Sequence, residues 1–268
     1  MPYTLTAYGL SDTGLVRKNN EDVWASLPEQ HLFVLADGMG GHQAGEVAAR
    51  EATNFFINQI REYFEKGVKL GHAQNDVVEF IRYSLEQTNH FVYQLSRTHE
   101  LLHGMGTTML CLHFFEDLVI WAHVGDSRIY RVRNGALEQL TKDHSLLSEL
   151  LEQGVVSERH LDDCSFKNII TRAIGTEPFV KPSVQVDHIQ AEDLYLLTSD
   201  GLTDLLTNEE IFAILDCPLT VEEKVRLLIV SAKRKGGHDN ITCVCVEVKE
   251  VHEPTNLATK SVKSIPGQ

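Results

Sequence analysis

The sequence predicts an α+β fold in which antiparallel β-sheets carry long helices on their outer faces. Three observations carry this reading. Runs rich in β-formers are joined by short polar turns, as in hairpins. Two long segments have the period of a helix rather than a strand. Strands and helices do not alternate one for one, which argues against a parallel doubly wound sheet.

The elements follow in chain order. "HLFVLADG" is a short apolar run that closes in a turn. From Ala44, apolar residues recur at Ala48, Ala52, Phe55, Phe56, Ile60, Tyr63 and Phe64, with Gly67 as the stop. A second helix shows Val78, Ile81, Leu85, Val92 and Leu95 on one face. "GTTMLCLHFF" and "DLVIWAHVGDS" flank the polar pair Glu116 and Asp117 and read as an antiparallel pair. "RIYRVRNGALEQL" carries Asn134-Gly135, a strong hairpin signal. "SLLSELLEQG" is a short helix ending at Gly154. "DLYLLTSDGL" and "NITCVCVEV" are two further strands. Thr207 with Glu210 and Thr220 with Glu223 are capping boxes that open two late helices, the second ending near Gly236-Gly237. No linker interrupts residues 1–249, and residues 250–268 form a polar tail without periodicity.

Composition narrows the function. The chain has 268 residues, 43% of them hydrophobic and 23% charged, as in soluble globular proteins, and is long enough to bury a core without staples. A formal charge of -14 argues against a nucleic-acid partner but leaves room for a phosphorylated one if cations supply local positive charge. Cys111, Cys164, Cys217, Cys243 and Cys245 are odd in number and contain no Cys-x-x-Cys pair, which fits reduced thiols in a cytoplasmic protein. Cys243 and Cys245 alternate along a strand as small core residues. The N-terminus has no basic segment followed by an apolar run, and no stretch is apolar for long enough to span a bilayer. A cytoplasmic monomer without membrane contact is expected.

The stretch "LADGMGGHQAGEVAAR" sets one carboxylate and several glycines between a buried strand and a helix. It reads as a phosphate-cradling loop, a turn that needs flexible backbone, or one part of a metal site. Gln43 stands where a Gly-x-Gly-x-x-Gly run would end, and no Gly-Lys-Ser/Thr follows, so the phosphate-loop reading is weak. Asp37 has counterparts: Asp126 follows "VIWAHVG", Asp200 follows "LYLLTS", Asp239 opens "NITCVCVEV", and Asp22 precedes "VWASL". Each alone is most simply a turn residue. Five at strand ends would repel one another unless cations neutralise them, and magnesium or manganese prefers such oxygen ligands. Gly38 then lets a backbone carbonyl approach a metal closely.

The segments "SDTGLVRKNNED", "LADGMGGHQAGEVAA", "GTTML", "HVGDSRIYRVRNG", "LTKDHS", "NIITRAIG", "LLTSDGLTDLL" and "GGHDNIT" stand in the order found in bacterial PP2C-type (PPM) protein serine/threonine phosphatases, and the chain resembles that family from residue 4 to about 249. The resemblance implies a four-layer α-β-β-α sandwich with the metal centre in a cleft at one end of the two sheets. It implies that Asp37 bridges two Mn2+ or Mg2+ ions, that Gly38 contributes its carbonyl, and that Asp200 and Asp239 complete the pair. Asp22 then acts in the outer shell through water, with Glu21 assisting. Asp126 resembles the ligand of a third, weaker metal shared with Asp200. Arg17 matches the arginine that holds the substrate phosphate. Two cations about 3.5–4 Å apart neutralise a phosphate monoester and acidify the water between them, and a guanidinium fork matches phosphate oxygens.

The sequence departs from relatives at two places. Where many eukaryotic relatives follow the Asp-Gly pair with a histidine, this chain has Met39, and His42 stands three residues on, as in bacterial relatives, facing substrate or bound water or else hydrogen-bonded within its loop. Asp163-Cys164 and Lys167 replace a His-Pro and an arginine of the flap region, so substrate preference there does not carry over. His123 and His238 read as structural. The implied substrates are phosphorylated proteins, products of a serine/threonine kinase. A narrow phosphatase of one regulatory switch and a non-catalytic pseudophosphatase are the alternatives, the latter disfavoured by the complete carboxylate set.

Overall fold

The computed structural model describes residues 3–40, 44–67, 74–154 and 169–250. The strands are β1 (Tyr3–Asp12), β2 (Asp22–Leu27), β3 (Leu32–Met39), β4 (Gly106–Thr107), β5 (Met109–Phe115), β6 (Leu118–Val124), β7 (Arg128–Arg133), β8 (Ala136–Gln139), β9 (Ser183–His188), β10 (Leu194–Thr198) and β11 (Ile241–Glu250). The helices are α1 (Ala44–Gly67), α2 (Gln74–Ser96), α3 (Leu146–Glu152), α4 (Asp200–Thr203), α5 (Asn208–Leu215) and α6 (Val221–Arg234). Residues 251–268 of the expected tail and residues 155–167 of the flap region lie outside the described residues.

Two sheets form, one in the order β1-β11-β10-β7-β8 and one in the order β2-β3-β5-β6-β9 with β4 added to β3. Every ladder is antiparallel. Both expected hairpins are present. Phe115 pairs with Leu118 across Glu116-Asp117. Arg133 pairs with Ala136 across Asn134-Gly135, whose φ values of 52° and 71° are those of a type I′ turn.

Side-chain alternation builds the layers. Leu32 and Val34 face α1 and α2, whereas Phe33 and Leu35 face the other sheet. Cys243 and Cys245 pack under α5 and α6, whereas Val244 and Val246 face inward. Three separate hydrophobic clusters result: helices on sheet, sheet on sheet, and sheet on helices. That is the four-layer α-β-β-α sandwich. Phe114 and Tyr195 meet edge to face between the sheets, 5.5 Å apart. Because both faces of the central strands are covered, β6 (LVIWAHV) is buried at every position and shows no polar alternation. Both capping boxes close as expected, Thr207 with Glu210 and Thr220 with Glu223.

Two strands escape the sequence reading, β1 and β9, and both are sheet edges, with Thr4 and Thr6 exposed on one and Gln185 and His188 on the other. The four-residue helix α4 is also unanticipated, since it begins where the apolar run of β10 ends.

The sheets share one functional end. β3 ends there and β2 begins there, with Asp37 opposite Asp22. β10 ends there beside the start of β11, with Thr198 opposite Cys243. Close packing fixes this end. A Cβ on Gly201 would sit 2.1 Å from the Asn240 carbonyl oxygen, so the start of α4 lies directly on the residue before β11. Gly201→Ala should therefore force the Asp200 and Asp239 segments apart and destabilise the fold by about 1–3 kcal/mol. A thermal melt checks this, and a melting temperature equal to the parent's would show that the contact yields freely.

Candidate metal centre

Each expected ligand arrives at the cleft on a different element. Asp37 is the third-last residue of β3, Asp22 opens β2, Asp126 sits in the turn between β6 and β7, Asp200 opens α4, and Asp239 stands two residues before β11. Asp37, Gly38, Asp126, Asp200 and Asp239 line one cleft of about 200 Å³, together with Arg17 and Glu21. Asp22 lies behind them, 6% exposed. The expected set therefore converges, except His42, which lies outside the described residues.

Gly38 is required for a reason beyond its carbonyl. A Cβ there would come within 2.1 Å of the Gly45 carbonyl oxygen and 2.7 Å of the Glu21 carbonyl oxygen. The first turn of α1 thus presses against the end of β3. Gly38 also donates its N–H to the Glu21 carbonyl at 3.1 Å.

The electrostatics are those of crowded anions. Burial, then the neighbouring carboxylates, pushes Asp37 well above the usual range. Burial and the charges of Asp126 and Asp204 push Asp200 up to about 8. Burial and the charge of Asp143 raise Asp126 to about 6. Asp22 is raised to about 6 by burial, even though its Oδ2 accepts hydrogen bonds from Ser199 Oγ and Thr242 Oγ1, both at 2.7 Å. Burial also raises Glu21.

This donor set fits divalent cations. Asp126 Oδ1 and Asp22 Oδ1 are buried without a hydrogen-bond partner. An ionised carboxylate oxygen can only accept, and a hard cation would relieve both the missing partner and the repulsion. Among the described residues no three Asp, Glu, His or Cys side chains are drawn into a closed ligand set. Arg17 Nη2 donates to Asp239 Oδ2 at 2.7 Å, so one carboxylate of the set is paired with a cationic side chain.

Several residues of this end carried no sequence-derived role. Asn240 accepts the Glu21 N–H at 2.8 Å and donates to the Thr13 and Asn19 carbonyls at 3.0 and 2.9 Å, tying the Arg17 loop to β11. Arg128 does not pair with Asp126. It chelates Asp143, with Nε 3.0 Å from Oδ1 and Nη2 2.7 Å from Oδ2. His123 has its Nε2 2.7 Å from the Lys142 carbonyl and its ring stacked on His144 at 4.5 Å. Its Nδ1 has no partner. His238 packs against Gly236 and lines a second groove of about 560 Å³, which Arg17 and Asp239 also line.

Known proteins share this architecture. The sequence profile of the protein phosphatase 2C family matches residues 16–227. The serine/threonine phosphatase stp of Listeria monocytogenes is 36% identical over 240 residues, covering 88% of this chain and 93% of that protein. The protein phosphatase PhpP of Streptococcus pneumoniae is 35% identical over 245 residues, covering 90% and 96%. Among solved structures, the serine/threonine phosphatase of S. agalactiae superimposes with a TM-score of 0.83 at 34% identity, covering 92% of this chain and all of that one. The catalytic domain of the serine/threonine phosphatase PstP, in complex with two manganese ions, does so with a TM-score of 0.80 at 33% identity, covering 92% and 100%. The chain belongs to the protein phosphatase 2C family.

Proposed function

We propose that residues 1–249 hydrolyse phosphoserine and phosphothreonine in proteins, reversing the work of a serine/threonine kinase. The carrying observation is the meeting of Asp37, Asp126, Asp200 and Asp239 on one cleft whose sole basic residue, among the described lining residues, is Arg17. In this reading Asp37, the Gly38 carbonyl, Asp200 and Asp239 hold two manganese or magnesium ions. Asp126 and Asp200 hold a third, more weakly. Asp22 and Glu21 act from the outer shell. When bound, such ions neutralise phosphoryl oxygens and lower the pKa of a water held between them. The complete carboxylate set favours an enzyme over a non-catalytic binding module. The neighbouring groove of about 560 Å³ offers room for the polypeptide around the phosphorylated residue.

Arg17 serves by exchanging partners. Its pairing with Asp239 joins side chains that are 53% and 36% exposed, and such a pair contributes little, about 0–1 kcal/mol. Releasing it frees a planar fork for the phosphate and a carboxylate for a cation in one movement. Arg17→Ala should raise KM several-fold with a smaller change in kcat, because phosphate is held in ground and transition states alike. Steady-state kinetics on a phosphothreonine peptide decide this, and unchanged KM would reduce Arg17 to a solvated charge.

Asp37→Asn and Asp239→Asn should each lower turnover at least about a hundredfold, beyond the usual cost of an outer-shell change. An amide cannot balance two cations. Hydrolysis of the same peptide with added manganese measures it, and near-parental turnover in both variants would sink the assignment.

Cation removal has a signature in stability as well. Asp200 and Asp37 are raised above their unfolded values, so their contribution is present at low pH and lost as pH rises, for Asp200 through about 8. The buried His113 and His144, lowered to about 3, act oppositely but only below the ordinary histidine range near 6.5. Between pH 7 and 8 the chelated protein should therefore lose melting temperature as pH rises, and manganese should flatten that slope. Parallel slopes with chelator and with manganese would mean that the cleft holds no cation.

A further inference from the structure

Two buried hydroxyls have no part in the mechanism above. Thr108 is 1% exposed and Ser127 fully buried, and their Oγ atoms lie 2.8 Å apart. Thr108 is tied to Asp37 from both sides of the residue. Its Oγ1 accepts the Asp37 N–H at 3.0 Å, and its own N–H donates to the Asp37 carbonyl at 2.8 Å. Thr107 Oγ1 donates to that carbonyl as well, at 2.8 Å. Ser127 is the residue after Asp126.

The Asp126 turn rests on Thr108. Gly125 has φ +106°, and a Cβ there would meet Thr108 Cγ2 at 2.6 Å. The flanks of Asp126 are otherwise pinned away from the cleft. Gly125 donates to His144 Nδ1 at 3.2 Å and accepts the His144 N–H at 3.0 Å, and Arg128 is chelated by Asp143. Asp126 Oδ1 itself has no partner. That oxygen is therefore placed by the residues that flank Asp126, and the flanking residue that reaches toward Asp37 is Ser127.

We propose that the Thr108–Ser127 hydroxyl pair fixes the spacing between the Asp37 and Asp126 carboxylates, making both positioning residues on which the third cation depends. This rests on the reading that Asp126 and Asp200 hold that cation. The two residues differ in reach. Ser127→Ala removes the link but leaves the Asp37 N–H bonded to Thr108. Thr108→Val removes the link and also strips the Asp37 N–H of its acceptor.

Manganese titration of the metal-free full-length protein, with free Mn2+ read by electron paramagnetic resonance, tests the proposal without using activity. Ser127→Ala should leave two tight steps unchanged and weaken the third about 10–100-fold. Thr108→Val should weaken all three, and Thr108→Ser, which keeps the hydroxyl but loses the Cγ2 beside Gly125, should stay closer to the parent than Thr108→Val at every step. If Ser127→Ala melts too low to titrate, the contrast between Thr108→Ser and Thr108→Val carries the test. Asp126→Ala separates the two ideas. A parent with three steps, an Asp126→Ala protein lacking the weakest, and an unchanged Ser127→Ala protein would overturn the coupling alone. A parent with two steps, or an Asp126→Ala protein that keeps three, would overturn the third-cation reading and the coupling with it. Equal weakening of all steps by Ser127→Ala would reduce the pair to general packing.

Discussion

The structure is organised around the cost of bringing carboxylates together away from water. Asp22, Asp37, Asp126 and Asp200 are all raised chiefly by burial, and in each case another carboxylate adds to the effect. Hydrogen-bond donors aimed at these groups could have stabilised them, but the fold supplies few. Asp22 receives two hydroxyls, whereas Asp126 keeps a buried oxygen without any partner. At neutral pH an end built this way favours protonation or positive charge in the cleft, and Arg17 reaches one edge of it. The same arrangement that burdens the folded chain suits it to bind cations.

Such a site needs a scaffold that resists the repulsion. The two-sheet sandwich provides one, because the strands that carry these carboxylates at their ends are packed on both faces, in the central cluster and in an outer one. β3 contributes to the cluster under α1 and α2 and also to the central one; β10 and β11 contribute to the central one and to the one under α5 and α6. Glycines then remove the side chains that would hold these ends apart. Gly38 lets Gly45 close on β3, and Gly201 lets α4 close on Asn240. Their value lies in approach rather than in flexibility, and neither has a left-handed φ.

The central strands and long helices were legible because their signals are local. Helical period gave α1 and α2, and Asn134-Gly135 gave the hairpin of β7 and β8. The layer order needed the family resemblance, since strands buried on both faces carry no alternation to say which side meets a helix. Edge strands β1 and β9 were hidden by their polarity, for they draw stability from neighbours distant in sequence: β1 pairs along its whole length with β11, from Tyr3 opposite Glu250 to Asp12 opposite Ile241. The site shows the same division. The aspartates could be picked out as carboxylates at strand ends. Thr108, Ser199, Asn240 and Thr242 could not, because a hydroxyl or amide takes its role from the partner that folding brings to it, and those partners lie 19 to 231 residues away.

Arg17 and Asp239 connect these themes. The pair closes one edge of an anionic cleft at 2.7 Å, yet both side chains remain in water. Burial would have made it costly to break, since either charge alone would then be stranded. Exposure keeps the pair easy to break, which the proposed exchange of partners at Arg17 and Asp239 requires. The buried carboxylates set the demand for positive charge, and the exposed pair leaves the entrance adjustable. Asn240 links the two, because it fixes Glu21 and the loop carrying Arg17 to the first residues of β11 next to Asp239.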